Sequence, residues 1–244
     1  MTNDDGVFSE GLTALAEGLK PLGTVTVVAP ATESSAIGHA LTLTRPLRLQ
    51  HLREDVYAVD GTPTDCVTLA FVKLFDREPD LVVSGINTGY NIGDDVTYSG
   101  TVAGALEGCL LGAPGIAVSL CRSRHYDFTQ AVQAARTVSE HVLAHGLPPR
   151  TLLNVNVPRE QAHGIRITVQ ARRRYSADAL EAEDPRGRMY FWIREGLADW
   201  EPEPLSDYQA VRDGWISVTP LQPDLTNRDA LARLAPLATD QVVG

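Results

Sequence analysis

The sequence predicts an α/β fold: a Rossmann-like, doubly wound, mostly parallel sheet with a C-terminal β-hairpin extension. Three observations predict it. Short β-branched runs alternate with segments of helical period, two of the runs close at Pro30 and Pro158, and polar clusters fall just after strand ends. Strands alternating with helices of this length imply parallel βαβ crossovers, and in such sheets ligands bind beyond the carboxyl ends of the strands.

In chain order, Leu12, Leu15, Ala16 and Leu19 recur at helical spacing from Glu10 to Lys20, with Pro21 and Gly23 as a stop signal. The run Thr24 to Val28, closed by Ala29-Pro30, has the composition of a buried parallel strand. The pattern continues as helix over Pro63 to Phe75, strand over Asp80 to Ser84, helix over Ser99 to Leu111 and strand over Gly115 to Leu120. Phe128 to His145 reads as a further helix and Leu152 to Val157 as a further strand. From Gly164 onward the alternation fails, and strands are expected at Ile165 to Val169, Met189 to Ile193 and Trp215 to Val218, before a short helix capped by Thr226 or Asn227. The division expected is a core over 1–160 and an extension over 161–244 that serves oligomerisation.

Composition narrows the chemistry. The 244 residues can bury one large core, and 43% hydrophobic with 21% charged residues is a globular balance. A net charge of −10 disfavours binding to a nucleic acid duplex, since little counterion release would drive it. Lys20 and Lys73 are the only lysines, so an anion site must use backbone amides, arginine or a metal ion. Cys66, Cys109 and Cys121 are odd in number and lie among apolar residues, which reads as core in a reducing compartment. With no apolar stretch of bilayer length and an acidic start, Met1-Thr2-Asn3-Asp4-Asp5, the expectation is a cytoplasmic protein without membrane contact.

Four polar clusters carry the candidate chemistry. Asn3-Asp4-Asp5-Gly6 precedes the first helix; paired aspartates are an N-cap and turn, or they bind a hard divalent cation through oxygen. Glu33 to His39 follows the strand ending at Val28, and Ser84 to Gly93, with Asn87 and Asn91, follows the strand ending at Val83. Ser99-Gly100-Thr101 opens an Ala-rich helix, where free amides and two hydroxyls can hold a phosphate. His39 reads as a structural histidine rather than a general base, and Arg172-Arg173-Arg174 as a solvated or subunit-contacting face. Cys66 lacks a neighbouring base and reads as core.

With these clusters in place, the chain resembles the SurE (survival protein E) nucleotidases. The likeness is carried by TNDDG at 2–6, SSAIGHALT, GTPTDCV at 61–67, SGINTGYNIG at 84–93, YSGTVAGALEG at 98–108, NVNVP at 154–158, RRRY at 172–175 and GWISVTPLQPDLT, in order along essentially the whole chain. The resemblance implies a divalent-metal-dependent phosphomonoesterase acting on nucleoside 5′-monophosphates, with 3′-monophosphates and short polyphosphate as further substrates. It implies one Mg²⁺ or Mn²⁺ per subunit held by Asp4, Asp5, Ser35 and Asn87, and a homodimer or homotetramer. Asp4 or Asp5 would orient or deprotonate the attacking water. Asn87, Asn91, Ser99, Gly100 and Thr101 would contact the phosphate. The family also begins with a short apolar strand ahead of this motif, which Met1-Thr2 does not supply, so the strand holding the aspartates is expected to be missing unless the true start lies upstream of Met1.

Two other classes share parts of the pattern. A dinucleotide-dependent oxidoreductase needs a GxGxxG loop between a strand and its helix, which the sequence lacks. A non-catalytic nucleotide-binding or regulatory protein would keep the same pocket without turnover, and chelator-sensitive phosphate release separates the two.

Overall fold

The computed structural model describes residues 1–174, 177–195 and 199–238. The first helix, α1 (Glu10–Leu19), is capped by Ser9, whose side chain accepts from the Leu12 amide. Strand β1 (Val27–Pro30) follows, then the antiparallel pair β2 (Leu49–Arg53) and β3 (Val56–Val59), and helix α2 (Pro63–Lys73). Next come β4 (Val82–Thr88), α3 (Gly100–Leu110), β5 (Gly115–Leu120), α4 (Thr129–His145) and β6 (Leu152–Val157). The remainder holds β7 (Ile165–Ile167), the two-residue β8 (Arg173–Arg174), β9 (Ala177–Glu183), β10 (Met189–Glu195) and the two-residue β11 (Asp199–Trp200). Helix α5 (Asp207–Arg212), β12 (Ile216–Leu221) and α6 (Arg228–Leu234) complete it.

The main sheet has the order β4-β5-β6-β12-β7, with β4, β5 and β6 parallel, β12 antiparallel to β6, and β7 parallel to β12. A second sheet, β1-β3-β2, lies alongside it. Met1 and Thr2 join the two sheets: the Val28 amide donates to Met1 O, the Thr2 amide to Val83 O, and the Gly85 amide to Thr2 O. These two residues thus hold a strand's place between β1 and β4, where the sequence reading found no strand.

Helices cover both faces because strand side chains alternate. On β5, Ile116, Val118 and Leu120 pack in one cluster with Leu15 and Leu19 of α1 and Ala131, Ala135 and Val138 of α4. Ala117 points to the other face, against Val102, Ala105 and Cys109 of α3. Cys66 of α2 packs with Val28 and Val59 and is fully buried, and its burial pushes the thiol pKa up, consistent with a core residue.

Most predicted elements stand within a few residues of where the sequence puts them, and three differences have physical causes. The first strand begins at Val27 rather than Thr24, because the β2–β3 turn at Asp55 ends the ladder: Val27 pairs with Val56, the first residue of β3. The β2–β3 hairpin itself was not anticipated. The main sheet also continues past residue 160, since β12 pairs with β6 and β7 with β12. Strands β9 and β10 form their own antiparallel pair, joined through Asp184 and Gly187, apart from the main sheet. Among the described residues no helix is long and apolar enough to cross a membrane.

Candidate active site

The segment after Met1-Thr2 is folded back by Asn3, fully buried, whose amide donates to Gly6 O at 3.0 Å and Ser9 Oγ at 2.7 Å. Gly6 has φ +97°, a conformation that favours glycine, and the Val7 amide closes the turn on Pro30 O. Asp4 and Asp5 therefore form the apex of a tight turn at the carboxyl end of the strand position between β1 and β4.

Three other elements meet this apex. The Ser34 amide donates to Asp4 O at 2.7 Å, which brings in the loop after β1. Thr101 of α3 donates its hydroxyl to Asp4 Oδ1. The register Thr2↔Ser84 sets the turn beside the end of β4, where Asn87 lies. Gly100 is required by this approach: a Cβ there would lie 2.8 Å from Asp4 Cβ and 2.9 Å from Asp4 Oδ2.

Burial pushes the Asp4 carboxyl above its ordinary value, against hydrogen bonds from Thr101 that pull the other way. Burial also pushes Asp5 up to about 6, helped by the charges of Asp4 and Glu33. Asp5 Oδ2 is buried with no hydrogen-bond donor. Two crowded carboxylates, one with an orphaned oxygen, are electrostatically incomplete, an arrangement of the kind that a divalent cation can complete. Among the described residues no three His, Cys, Asp or Glu side chains group as a metal site; what the turn itself offers is the oxygens of its two carboxylates. That donor set suits a hard ion.

The other candidates are placed as follows. Ser35 is exposed on the loop tied to Asp4, with its hydroxyl donated to Glu33 Oε1 at 2.6 Å. Asn87 donates its amide to Gly89 O at 2.8 Å. Ser99 caps α3, accepting from the Val102 amide at 3.1 Å, and with Gly100 stands at the helix's open amide end. Asn91 is held in a buried polar network, its amide on Ser119 Oγ at 2.8 Å and its backbone gripped by Asn154 and Asn156. Arg173 pairs with Asp95 at 2.7 Å, a contact inside the chain.

The sequence places Glu33 in the polar cluster after the first strand but assigns it no role, although its charge bears on both aspartates, and it does not mark Glu107, which binds His39 at 2.9 Å and Thr68 at 2.9 Å. Glu107 lies inside a helix, 68 residues from His39, with no local signal.

The family described as Survival protein SurE matches residues 1–177. The chain belongs to the SurE family. A protein of Pelobacter propionicus named 5′-nucleotidase SurE is 52% identical, over 93% of this chain and 94% of its own length. One of Geobacter sulfurreducens, named likewise, is 50% identical over 96% of this chain and 91% of its own. The crystal structure of the SurE protein from Aquifex aeolicus superposes with a TM-score of 0.86 at 44% identity, covering 97% of each chain. The SurE match includes the aspartate turn, the Ser34 loop, the end of β4 and the start of α3.

Proposed function

We propose that this SurE-family chain is a divalent-metal-dependent 5′-nucleotidase that hydrolyses nucleoside monophosphates to nucleoside and phosphate. The single observation that carries the reading is the orphaned, buried Asp5 Oδ2 beside a second carboxylate at a strand end. The names of the relatives in Pelobacter propionicus and Geobacter sulfurreducens supply the substrate class.

Asp4, Asp5, Ser35 Oγ and Asn87 Oδ1 would hold one Mg²⁺ or Mn²⁺. When bound, the ion supplies charge neutralisation at the phosphoryl oxygens and acidification of a water. The chain's own residues do the rest. The open end of α3 at Ser99 and Gly100 orients the equatorial oxygens of the phosphate, with Asn87 beside it and the Asn91 segment behind. Thr101 reaches the phosphate region through Asp4, whose carboxylate it fixes. Asp5 accepts the water's proton, water oxygen bonds to phosphorus, and the ester bond to the ribose oxygen breaks in line, the ribose oxygen leaving with a proton from solvent. Nucleoside 3′-monophosphates and short polyphosphate present the same terminal phosphoryl group and are further substrates. The protein works in the cytoplasm as a homodimer or homotetramer, residues beyond 160 supplying the contacts.

The test is phosphate release from adenosine 5′-monophosphate with Mn²⁺, with chelator, and in Asp5→Asn. Activity that needs Mn²⁺ and disappears in the variant supports the reading. Nucleotide binding without phosphate release identifies a non-catalytic nucleotide-binding protein instead, and chelator-resistant turnover removes the metal.

A further inference from the structure

Residues 31–48, between β1 and β2, carry Ser35 and contain no helix or strand. Irregular connections of this length are uncommon unless they serve a function or are pinned. Here the pins are visible. Beyond the Ser34 bond to Asp4, the Gly38 amide donates to Tyr98 O at 3.0 Å, and His39 Nε2 lies 2.9 Å from Glu107 Oε2. Thr62 Oγ1 donates to Ala40 O at 2.7 Å, and the Thr42 amide and hydroxyl donate to the two Asp65 oxygens at 2.8 and 2.6 Å.

Glu107 joins the loop to two helices at once. Its side chain is 13% exposed in the last turn of α3, and its second oxygen is taken by Thr68 of α2. It stands seven positions after Gly100, about 10 Å along the helix axis, too far to touch what Asp4 and Asp5 hold. What it does reach is the loop, through His39. The same helix that fixes Asp4 at its first turn by Thr101 therefore fixes the Ser35 loop two turns later.

We propose that Glu107, acting through His39, is a positioning residue for the cation site: the pair sets the Ser35 loop against Asp4 and Asp5, so that the hydroxyl is delivered without the loop having to be ordered on binding. The proposal rests on the cation reading above and adds two residues that touch neither cation nor substrate. Preordering of this kind shows in affinity more than in fold, since the loop's ordering entropy is otherwise taken from the binding free energy.

The experiment is titration of Mn²⁺ alone into the wild type, His39→Ala, Glu107→Ala, Glu107→Gln and Asp5→Asn, with the metal-free melting temperature of each. Expected is a Kd raised about tenfold or more in His39→Ala and Glu107→Ala, and held within about twofold in Glu107→Gln, which can still bond both His39 and Thr68. The metal-free melting temperature of His39→Ala stays within about 3 °C of wild type, and its turnover recovers at saturating Mn²⁺. His39 is one-third exposed, so that variant tests the latch even should Glu107→Ala fail to fold. A wild-type Kd in His39→Ala, with binding lost in Asp5→Asn, overturns the positioning role and leaves the cation site standing. Wild-type Mn²⁺ binding in Asp5→Asn removes the cation site and the positioning role with it.

Discussion

The hydroxyl of Thr101 donates to Oδ1 of Asp4, so the first turn of α3 and the aspartate turn form one unit although 97 residues separate them. Thr101→Val keeps the shape and removes the donor, leaving a buried carboxylate oxygen without its bond. Partners of this kind are worth about 10- to 100-fold in metal affinity. A Mn²⁺ titration with a parallel phosphate-release assay is expected to show both falling in Thr101→Val and both retained in Thr101→Ser.

Asp5→Asn is expected to move stability and activity in opposite directions. Burial first, then the charges of Asp4 and Glu33, raise the folded Asp5 carboxyl to about 6, above the ordinary 3.8. A raised acid contributes stability that is fully present below the unfolded value and lost as pH rises through the folded one. At neutral pH without metal the ionised Asp5 is therefore a liability, and an uncharged Asn relieves it. The metal-free variant should melt no lower than wild type at pH 7 while releasing no phosphate. A melting temperature well below wild type would show that the carboxylate is structural.

The order of elements was legible because each βα unit writes its own local pattern; the aspartate turn was legible as paired carboxylates and a glycine ahead of the first helix, the Ser35 loop as the polar stretch after Pro30, and the Ser99 cap as Ser-Gly-Thr ahead of an Ala-rich helix. What the sequence did not disclose is pairing across distance. Asn91 has the composition of a loop ligand, yet its amide is bound to Ser119 of β5 and its backbone to Asn154 and Asn156 of β6, a network that exists only once three segments are brought together. Strand β12 lies late in the chain but inserts between β6 and β7, antiparallel to the first and parallel to the second, which no local periodicity encodes. Strand β2 went unread because it is half exposed and its residues alternate poorly.

The latch at Glu107 gives a pH dependence of the opposite sign to Asp5. The hydrogen bond with His39, then that with Thr68, holds its carboxyl below the ordinary 4.5, although burial and the nearby Asp65 charge oppose them. A depressed acid contributes stability present above the unfolded value and lost as pH falls through the folded one. Glu107→Gln should therefore melt lower than wild type at pH 7, by about 2 °C, and the gap should close as pH drops below 4.5. Melting curves of the two proteins across that range check it; a gap that persists in acid would show that packing, not the charge, is what Glu107 contributes.

Asp207, at the start of α5, is fully buried and accepts from three main-chain amides, those of Gly93 at 2.9 Å, Ala171 at 3.0 Å and Tyr208 at 2.7 Å. It thereby ties the segment leading to Ser99 to a part of the chain beyond residue 160. Burial raises its pKa against the pull of those three bonds, so the charge itself is costly and the value of the residue lies in its acceptors. Asp207→Ala orphans buried N–H groups and should cost about 3 kcal/mol, read as a lowered urea midpoint at unchanged slope. Asp207→Asn retains one oxygen but turns an amide N–H toward a donor, so it should fall between the two. An alanine variant with a wild-type midpoint would mean that water or a shifted side chain satisfies the three amides, and that the Asn91 network together with the Gln170 side chain, which donates to Gly93 O at 3.1 Å, suffices to hold the Gly93 segment.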